Sequence, residues 1–265
     1  MNGKVSPYLA RIDLYPIKSL DGVAVEAATV LPSGSLQYDR AWALFDQTGK
    51  FVNGKRYASI HRVRSRFSQD FGHITLRLEN TGKAQTFHLK HDVTVLENWF
   101  SAYFQQPVTL QQNTDMGFPD DTDSPGPTVI STATLQTVAD WYGLSLEAMR
   151  CRFRTNLEID GVPAFWEDRL FSAAGTPLDF QIGDVMLQGI NPCQRCVVPT
   201  RDALTGEATP AFQKKFIQQR AATLPAEVAR SRFNHFYRLA VNTRIAPQTV
   251  GSSVQVGDRV SFSPD

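Results

Sequence analysis

Two of the three cysteines in this 265-residue chain fall within four positions, in the run Asn191-Pro192-Cys193-Gln194-Arg195-Cys196-Val197-Val198-Pro199-Thr200. A cysteine beside a guanidinium is electropositively placed, the setting in which sulfur serves as a nucleophile or a metal ligand. A structural zinc site needs four ligands, usually from a second CxxC or a histidine pair. The candidates here are only Cys151 and the distant His88-Leu89-Lys90-His91 segment. A thioredoxin-like redox pair belongs where a strand feeds a helix N-terminus. Instead a β-branched, proline-broken run follows, which reads as extended chain. Two inert, packed thiols are the plain alternative. A loop-borne thiolate that binds something soft accommodates the rest of the chain best.

That rest includes basic residues beside turns. Lys18-Ser19 precedes the Asp21-Gly22 turn, Asp39-Arg40 precedes an aromatic strand, and Lys55-Arg56 follows Asn53-Gly54. Arg154 lies in Phe153-Arg154-Thr155-Asn156-Leu157. Each alone reads as a solvated charge or a structural ion pair. With Arg195 they could form an anion cradle, since guanidinium groups grip phosphate oxygens bidentately and turn amides complete the shell. No P-loop, GxGxxG, HExxH or GxSxG element occurs. The five histidines show no ligand spacing beyond His88/His91. Asp120-Asp121-Thr122-Asp123 could hold a hard cation but reads first as a solvated loop.

The elements that must position these residues are mostly strands. Alternation and turn residues predict strands over 11–17 and 23–30, a hairpin over 41–52 and a second over 74–89 turning at Asn80-Thr81-Gly82-Lys83. A short helix over 95–104 would carry Leu96, Trp99, Phe100 and Tyr103 on one face. Residues 113–127, dense in Asp, Thr, Pro and Gly, read as a linker, and Ser131 caps a helix running to Tyr142. Extended segments are expected over 153–159, 180–187 and 197–198, a broken helical region over 210–236, and strands over 239–241 and 254–262. The fold class is therefore mainly β with peripheral helices (α+β), divided into 1–112 and 113–265. A formal charge of +1 argues against a general nucleic-acid or membrane surface binder. No apolar run approaches the ~20 residues of a membrane span. Pro7, Asp13 and Pro16 interrupt any signal-peptide core, and the sparse cysteines give no disulfide framework, so a cytoplasmic setting is the default.

Several pieces, in order, carry a family resemblance. They are Leu14-Tyr15-Pro16-Ile17-Lys18-Ser19, Tyr38-Asp39-Arg40-Ala41-Trp42 and Gly49-Lys50-Phe51-Val52, then Phe153-Arg154-Thr155-Asn156 and Pro192-Cys193-Gln194-Arg195-Cys196, with Thr205-Gly206 and Val256-Gly257-Asp258-Arg259-Val260 closing the set. Together they resemble the MOSC-domain proteins, and within them the two-part branch that includes the amidoxime-reducing components. The resemblance implies an N-terminal MOSC β-barrel domain over 1–112 and a MOSC β-barrel domain over 113–265. It implies a molybdenum-pterin cofactor, with Cys196 as metal ligand and catalytic residue and Lys18, Ser19, Arg40, Arg154, Asn156, Gln194 and Arg195 around the cofactor. It also implies reduction of small N-hydroxylated substrates, with electrons from a separate flavoprotein or ferredoxin-like donor, because the chain ends at Asp265 without an iron–sulfur domain. A sulfur-carrying persulfide at Cys196, or a non-catalytic cofactor carrier, are the alternatives. Gln194 stands where the family commonly has serine. A family tyrosine aligns at Leu239, with Tyr237 nearby, and residues 122–127 depart from the family pattern.

Overall fold

Short runs of alternating apolar residues become strands, and the computed structural model describes residues 6–79 and 82–262. The first half holds β1 (Tyr8–Leu14), β2 (Val23–Val25), β3 (Ala27–Thr29), β4 (Trp42–Asp46), β5 (Val63–Phe67), β6 (His73–Leu78), β7 (Ala84–His88), α1 (Val93–Phe104) and β8 (Val108–Gln112). After an irregular stretch come β9 (Val129–Ser131), α2 (Thr132–Tyr142), α3 (Leu146–Phe153), β10 (Leu157–Asp160), β11 (Leu178–Ile182) and β12 (Val185–Gln194). Then follow α4 (Phe212–Ala222), β13 (Arg238–Ile245), β14 (Ser253–Gln255) and β15 (Val260–Phe262). The protein is mainly β, with its α-helices peripheral, as the pattern predicts.

One eight-stranded sheet runs in the order β15-β11-β12-β13-β9-β10-β1-β2. Only β9 and β10 are parallel neighbours in it, and α2 and α3 form the crossover that a parallel pair requires. β1 leaves the first half of the chain to pair with β10, Tyr8 opposite Asp160 and Ile12 opposite Leu157. Accordingly Leu9, Ile12 and Leu14 share a core with Leu157, Phe180, Leu187 and Val241. A second core gathers Ile17, Trp42, Val63, Ile74, Leu96 and Phe100. A third lies under α2, α3 and α4, around Leu135, Phe153 and Phe216. Each fully buried side chain of this kind contributes about 1.5–3 kcal/mol.

Local signals are honoured where they stand alone. Ser131 Oγ accepts from the Thr134 amide and starts α2, and Gly143, at φ 63, ends it. β6 pairs with β7 as expected, while the turn residues Asn80 and Thr81 lie outside the described residues. Partner choice departs from the local pattern. The expected strand over 23–30 divides at Glu26, because β2 pairs with β1 and β3 with β14. The 41–52 turn forms through a Phe45–Phe51 bridge, but the long partner of β4 is β8, registered from Trp42–Gln112 to Asp46–Val108. The expected extended segment at 153 begins as the end of α3. Residues 198–200 form a 3-10 turn rather than extended chain, since the Thr200 and Arg201 amides bond back to Val197 O and Val198 O. No helix among the described residues is long and apolar enough to cross a membrane.

Candidate functional site

A cavity of about 690 Å³ opens where the loops after β1 and β12, the end of α3 and the stretch 113–127 meet. Its wall includes Lys18, Ser19, Arg40, Arg154, Asn156, Gln194, Arg195 and Cys196. The eight residues that the family resemblance singled out therefore reach one site, whereas Arg56 pairs with Asp46 away from it. Among the described residues the wall carries seven cationic side chains, Lys18, Arg40, Lys55, Arg152, Arg154, Arg195 and Arg238, against three carboxylates, Asp39, Asp120 and Asp121. In a chain of formal charge +1, that is a strong local concentration of positive charge.

Backbone strain aims several of these groups. Ser19, Arg40 and Arg154 have left-handed φ values of 75°, 50° and 51°, unusual for residues with a Cβ and tolerated only where surrounding contacts enforce them. The enforcing contacts are visible. Lys18 N donates to Trp42 O at 2.8 Å, Arg40 N to Tyr15 O at 2.8 Å, and Gly54 N to Ser19 Oγ at 3.2 Å. Arg154 is the C-cap of α3, its amide bonded to Arg150 O. The Arg154 guanidinium lies 4.1 Å, and that of Arg40 5.4 Å, from the centre of the buried Tyr15 ring. Arg40 also pairs with Asp39. Arg154 makes no side-chain hydrogen bond or ion pair among the described residues. Burial lowers its pKa, but an arginine stays cationic at any physiological pH.

The cysteine loop begins at the end of β12, which carries Cys193 and Gln194. The chain turns away at Arg195, whose amide donates to Tyr237 O at 3.1 Å. Arg195 Nη1 donates to Cys193 Sγ at 3.2 Å, and Nη2 to Phe153 O. Cys196 is half-buried and its thiol makes no hydrogen bond among the described residues. Arg152 holds the following turn against α3 by donating to Pro199 O at 3.1 Å and Thr209 Oγ1 at 3.0 Å. Among the described residues no three His, Cys, Asp or Glu side chains form a metal-ligand cluster, so a structural zinc site has no ligand set here.

Asn156 reaches the wall with its amide already engaged. Its oxygen accepts from Thr128 N at 3.2 Å and Thr128 Oγ1 at 3.1 Å, and its nitrogen donates to Asp13 O at 3.1 Å. Gln194 is exposed at the rim. Tyr237 lies beneath the loop, outside the wall, with its hydroxyl buried and unpartnered.

Sequence reasoning missed several wall residues. The stretch 113–127 carries no helix or strand, yet Met116, Asp120, Asp121, Ser124 and Gly126 line the cavity. Gly126 sits so close to β13 that a Cβ there would come 2.6 Å from Thr243 O. Asn191 and Asn242 face each other across β12 and β13, 3.0 Å apart. His61 is 9% exposed, with Nε2 unpartnered. Burial, together with Arg154, Arg201 and Arg64, pushes its pKa down to about 4, so it is neutral at pH 7. The Asp-rich run was the one visible signal, and its opposition to Lys18 is a tertiary fact.

Fold and site define a mainly β protein built around a cation-lined cavity with one unengaged thiol on its wall. Family models match it as the MOSC N-terminal beta barrel domain over residues 6–114 and as the MOSC domain over 128–261. The chain belongs to the MOSC family. It is 24% identical over 239 residues to a molybdenum cofactor sulfurase of Drosophila grimshawi, covering 78% of this chain and 30% of that protein. The corresponding sulfurase of Drosophila mojavensis is 22% identical over 241 residues, covering 78% and 29%. Mitochondrial amidoxime reducing component 2 of Bos taurus is 25% identical over 236 residues, covering 73% and 66%. The chain thus spans under a third of the sulfurases and just short of two thirds of the bovine protein.

Proposed function

We propose that this protein is a molybdenum-cofactor-dependent oxidoreductase that reduces N-hydroxylated small molecules, with Cys196 as its protein ligand to the metal. The observation that carries this reading is the unengaged Cys196 thiol on the wall of a strongly cationic cavity, where no three His, Cys, Asp or Glu side chains among the described residues gather as a metal-ligand set. A metal held by one protein thiolate must bring its other ligands along, and a pterin dithiolene does so. The phosphate of such a group needs cations, which Lys18, Arg40 and Arg154 supply. The volume also suits a small-molecule site. The residues present therefore fit the group.

When bound, the cofactor supplies two-electron redox chemistry at molybdenum. The chain's own residues divide the remaining work. Cys196 coordinates the metal, and Lys18, Ser19, Arg40 and Arg154 hold the anionic group. Arg195 acts one step back, tying the cysteine loop to Phe153 O. Asn156 fastens the entry to β10, and Gln194 stands at the rim. The net reaction takes up two electrons and two protons, breaks the N–O bond and releases water. These 265 residues carry no dinucleotide fingerprint and only three cysteines, so in this reading the electrons reach them from outside, from a flavoprotein or ferredoxin-like donor. The setting is cytoplasmic, with no nucleic-acid or membrane partner.

The kinship with sulfurases over 78% of the chain favours one other reading, in which Cys196 carries sulfur as a persulfide without metal. The test is an anaerobic assay with reduced viologen and benzamidoxime, on protein from a cofactor-competent host, beside Cys196→Ala. Turnover by the parent alone supports the proposal. Full molybdenum and pterin occupancy without turnover makes the protein a carrier. A persulfide without molybdenum on gently purified protein makes it a sulfur donor.

A further inference from the structure

Asp120 is a carboxylate on the cavity wall whose side chain is held only by two lysines. Its Oδ1 accepts from Lys18 Nζ at 2.9 Å and from Lys55 Nζ at 3.1 Å, and its side chain makes no other hydrogen bond among the described residues. Its neighbour Asp121 is built in quite differently. Asp121 Oδ1 accepts from the amides of Asp123 and Ser124 at 3.0 and 3.2 Å, and Oδ2 from Asn242 Nδ2 at 3.3 Å.

The partners of Asp120 also differ in their freedom. The Lys18 side chain is 8% exposed, donates to Phe118 O at 2.8 Å and lies 5.1 Å from the centre of the Phe51 ring. A buried ammonium without a compensating anion is costly, so Lys18 stays in place and needs a negative partner. Asp120 is 59% exposed and Lys55 44%. Asp120 can therefore turn into water once another anion takes its place on Lys18, whereas Lys18 cannot leave.

We propose that Asp120 is a tethered stand-in for an oxyanion: it fills a two-ammonium subsite, Lys18 and Lys55, which takes a phosphate-type group once the carboxylate swings away. The two anions cannot share the pair, because like charges at hydrogen-bond range repel. Ligand entry is then an exchange of an internal anion for an incoming one, and the internal contact lowers the affinity of the empty protein. The chain on either side of Asp120 is anchored, Phe118 N to Arg40 O at 2.9 Å and Arg244 Nε to Asp123 O at 2.6 Å. The exchange is thus a side-chain swing and leaves the backbone in place. Burial pushes the Asp120 carboxyl up, but Lys18, Lys55 and Arg40 outweigh it and hold the group well below the usual range. It therefore remains an anion, and a competitor, at neutral pH.

Only the choice of phosphate as the oxyanion rests on the cofactor reading above; the subsite is testable without cofactor. Cofactor-free protein is titrated calorimetrically with inorganic phosphate, as the parent, as Asp120→Asn and as Asp120→Asn/Lys55→Gln. The single variant should bind phosphate roughly tenfold tighter than the parent, the scale of one lost competing contact, and the double variant should lose that gain. Equal or weaker binding by Asp120→Asn overturns the proposal, because the carboxylate then orients the lysines. A gain that survives Lys55→Gln removes Lys55 from the subsite, and no heat from any variant removes the subsite altogether. Asp120→Ser provides a second neutral variant, with thermal melts confirming that each is folded. Phosphate binding in the expected order, without pterin in protein from a competent host, would sink the cofactor reading and leave this subsite standing.

Discussion

Arg195 places its guanidinium against Cys193, Nη1 to Sγ at 3.2 Å, and leaves Cys196 untouched. The arginine between the two cysteines is thus spent on the first, while its other terminal nitrogen holds Phe153 O. Cys193 belongs to the scaffold at the end of β12, and Cys196 is the sulfur left available to a ligand.

Unequal effects of cysteine replacement follow. Cys196→Ala should abolish both turnover and the protein-thiolate signature in molybdenum X-ray absorption. Cys193→Ala should retain most of both and lose about 1 kcal/mol of stability or less, the scale of one modest hydrogen bond. Equal losses from the two changes would contradict the assignment.

Arg154 and Asn156, two positions apart on the same wall, should separate binding from stability. Among the described residues the Arg154 side chain makes no hydrogen bond and only packs its guanidinium on the Tyr15 ring. Arg154→Gln should therefore leave the melting temperature nearly unchanged while lowering pterin content by about tenfold or more, as expected for a lost charge-assisted bond of roughly 1.5–3 kcal/mol. Asn156→Ala orphans Thr128 donors and the Asp13 carbonyl. It should lower unfolding stability by about 1–3 kcal/mol even in cofactor-free protein. Pterin analysis and urea titration of both variants check the contrast, and a stable Asn156→Ala would refute it.

His61 should make the protein acid-sensitive. Its folded-state pKa is pushed from 6.5 down to about 4. Between those values the unfolded chain binds a proton that the folded chain refuses, so stability falls as pH drops from 6.5 towards 4 and is complete above 6.5. The loss is on the order of 3 kcal/mol. Urea midpoints measured from pH 7.5 to 4.5 should show a shallower decline for His61→Gln than for the parent. Identical slopes would clear His61 of the effect.

Some of the fold was legible because the signal was local. Ser131 needs only the Thr134 amide to start α2, and β6 finds β7 across one short turn. Other features were illegible because their cause lies far along the chain. Glu26 interrupts an apolar run for no local reason, since β2 answers to β1 while β3 answers to β14 near the other end of the chain. Likewise β4 prefers the five registered residues of β8 to the short arm at Phe51. The run after Cys196 is β-branched, yet it turns, because Arg152 holds Pro199 O from α3.

By itself the sequence determined the β-rich character, the CxxC pair and the family resemblance that singled out Lys18, Ser19, Arg40, Arg154, Asn156, Gln194, Arg195 and Cys196. Residue types, turn chemistry and motif order are properties of the linear chain, and they survive without knowledge of any partner. Only the tertiary structure decided which of those residues remain free to act. The Asn156 amide and the two terminal nitrogens of Arg195 are spent on the scaffold, the Arg154 guanidinium and the Cys196 thiol are not, and Asp120 meets Lys18 from a stretch that reads as a linker. The physical reason is that a side chain's availability depends on every donor, acceptor and charge within a few ångströms, and those neighbours come from remote segments.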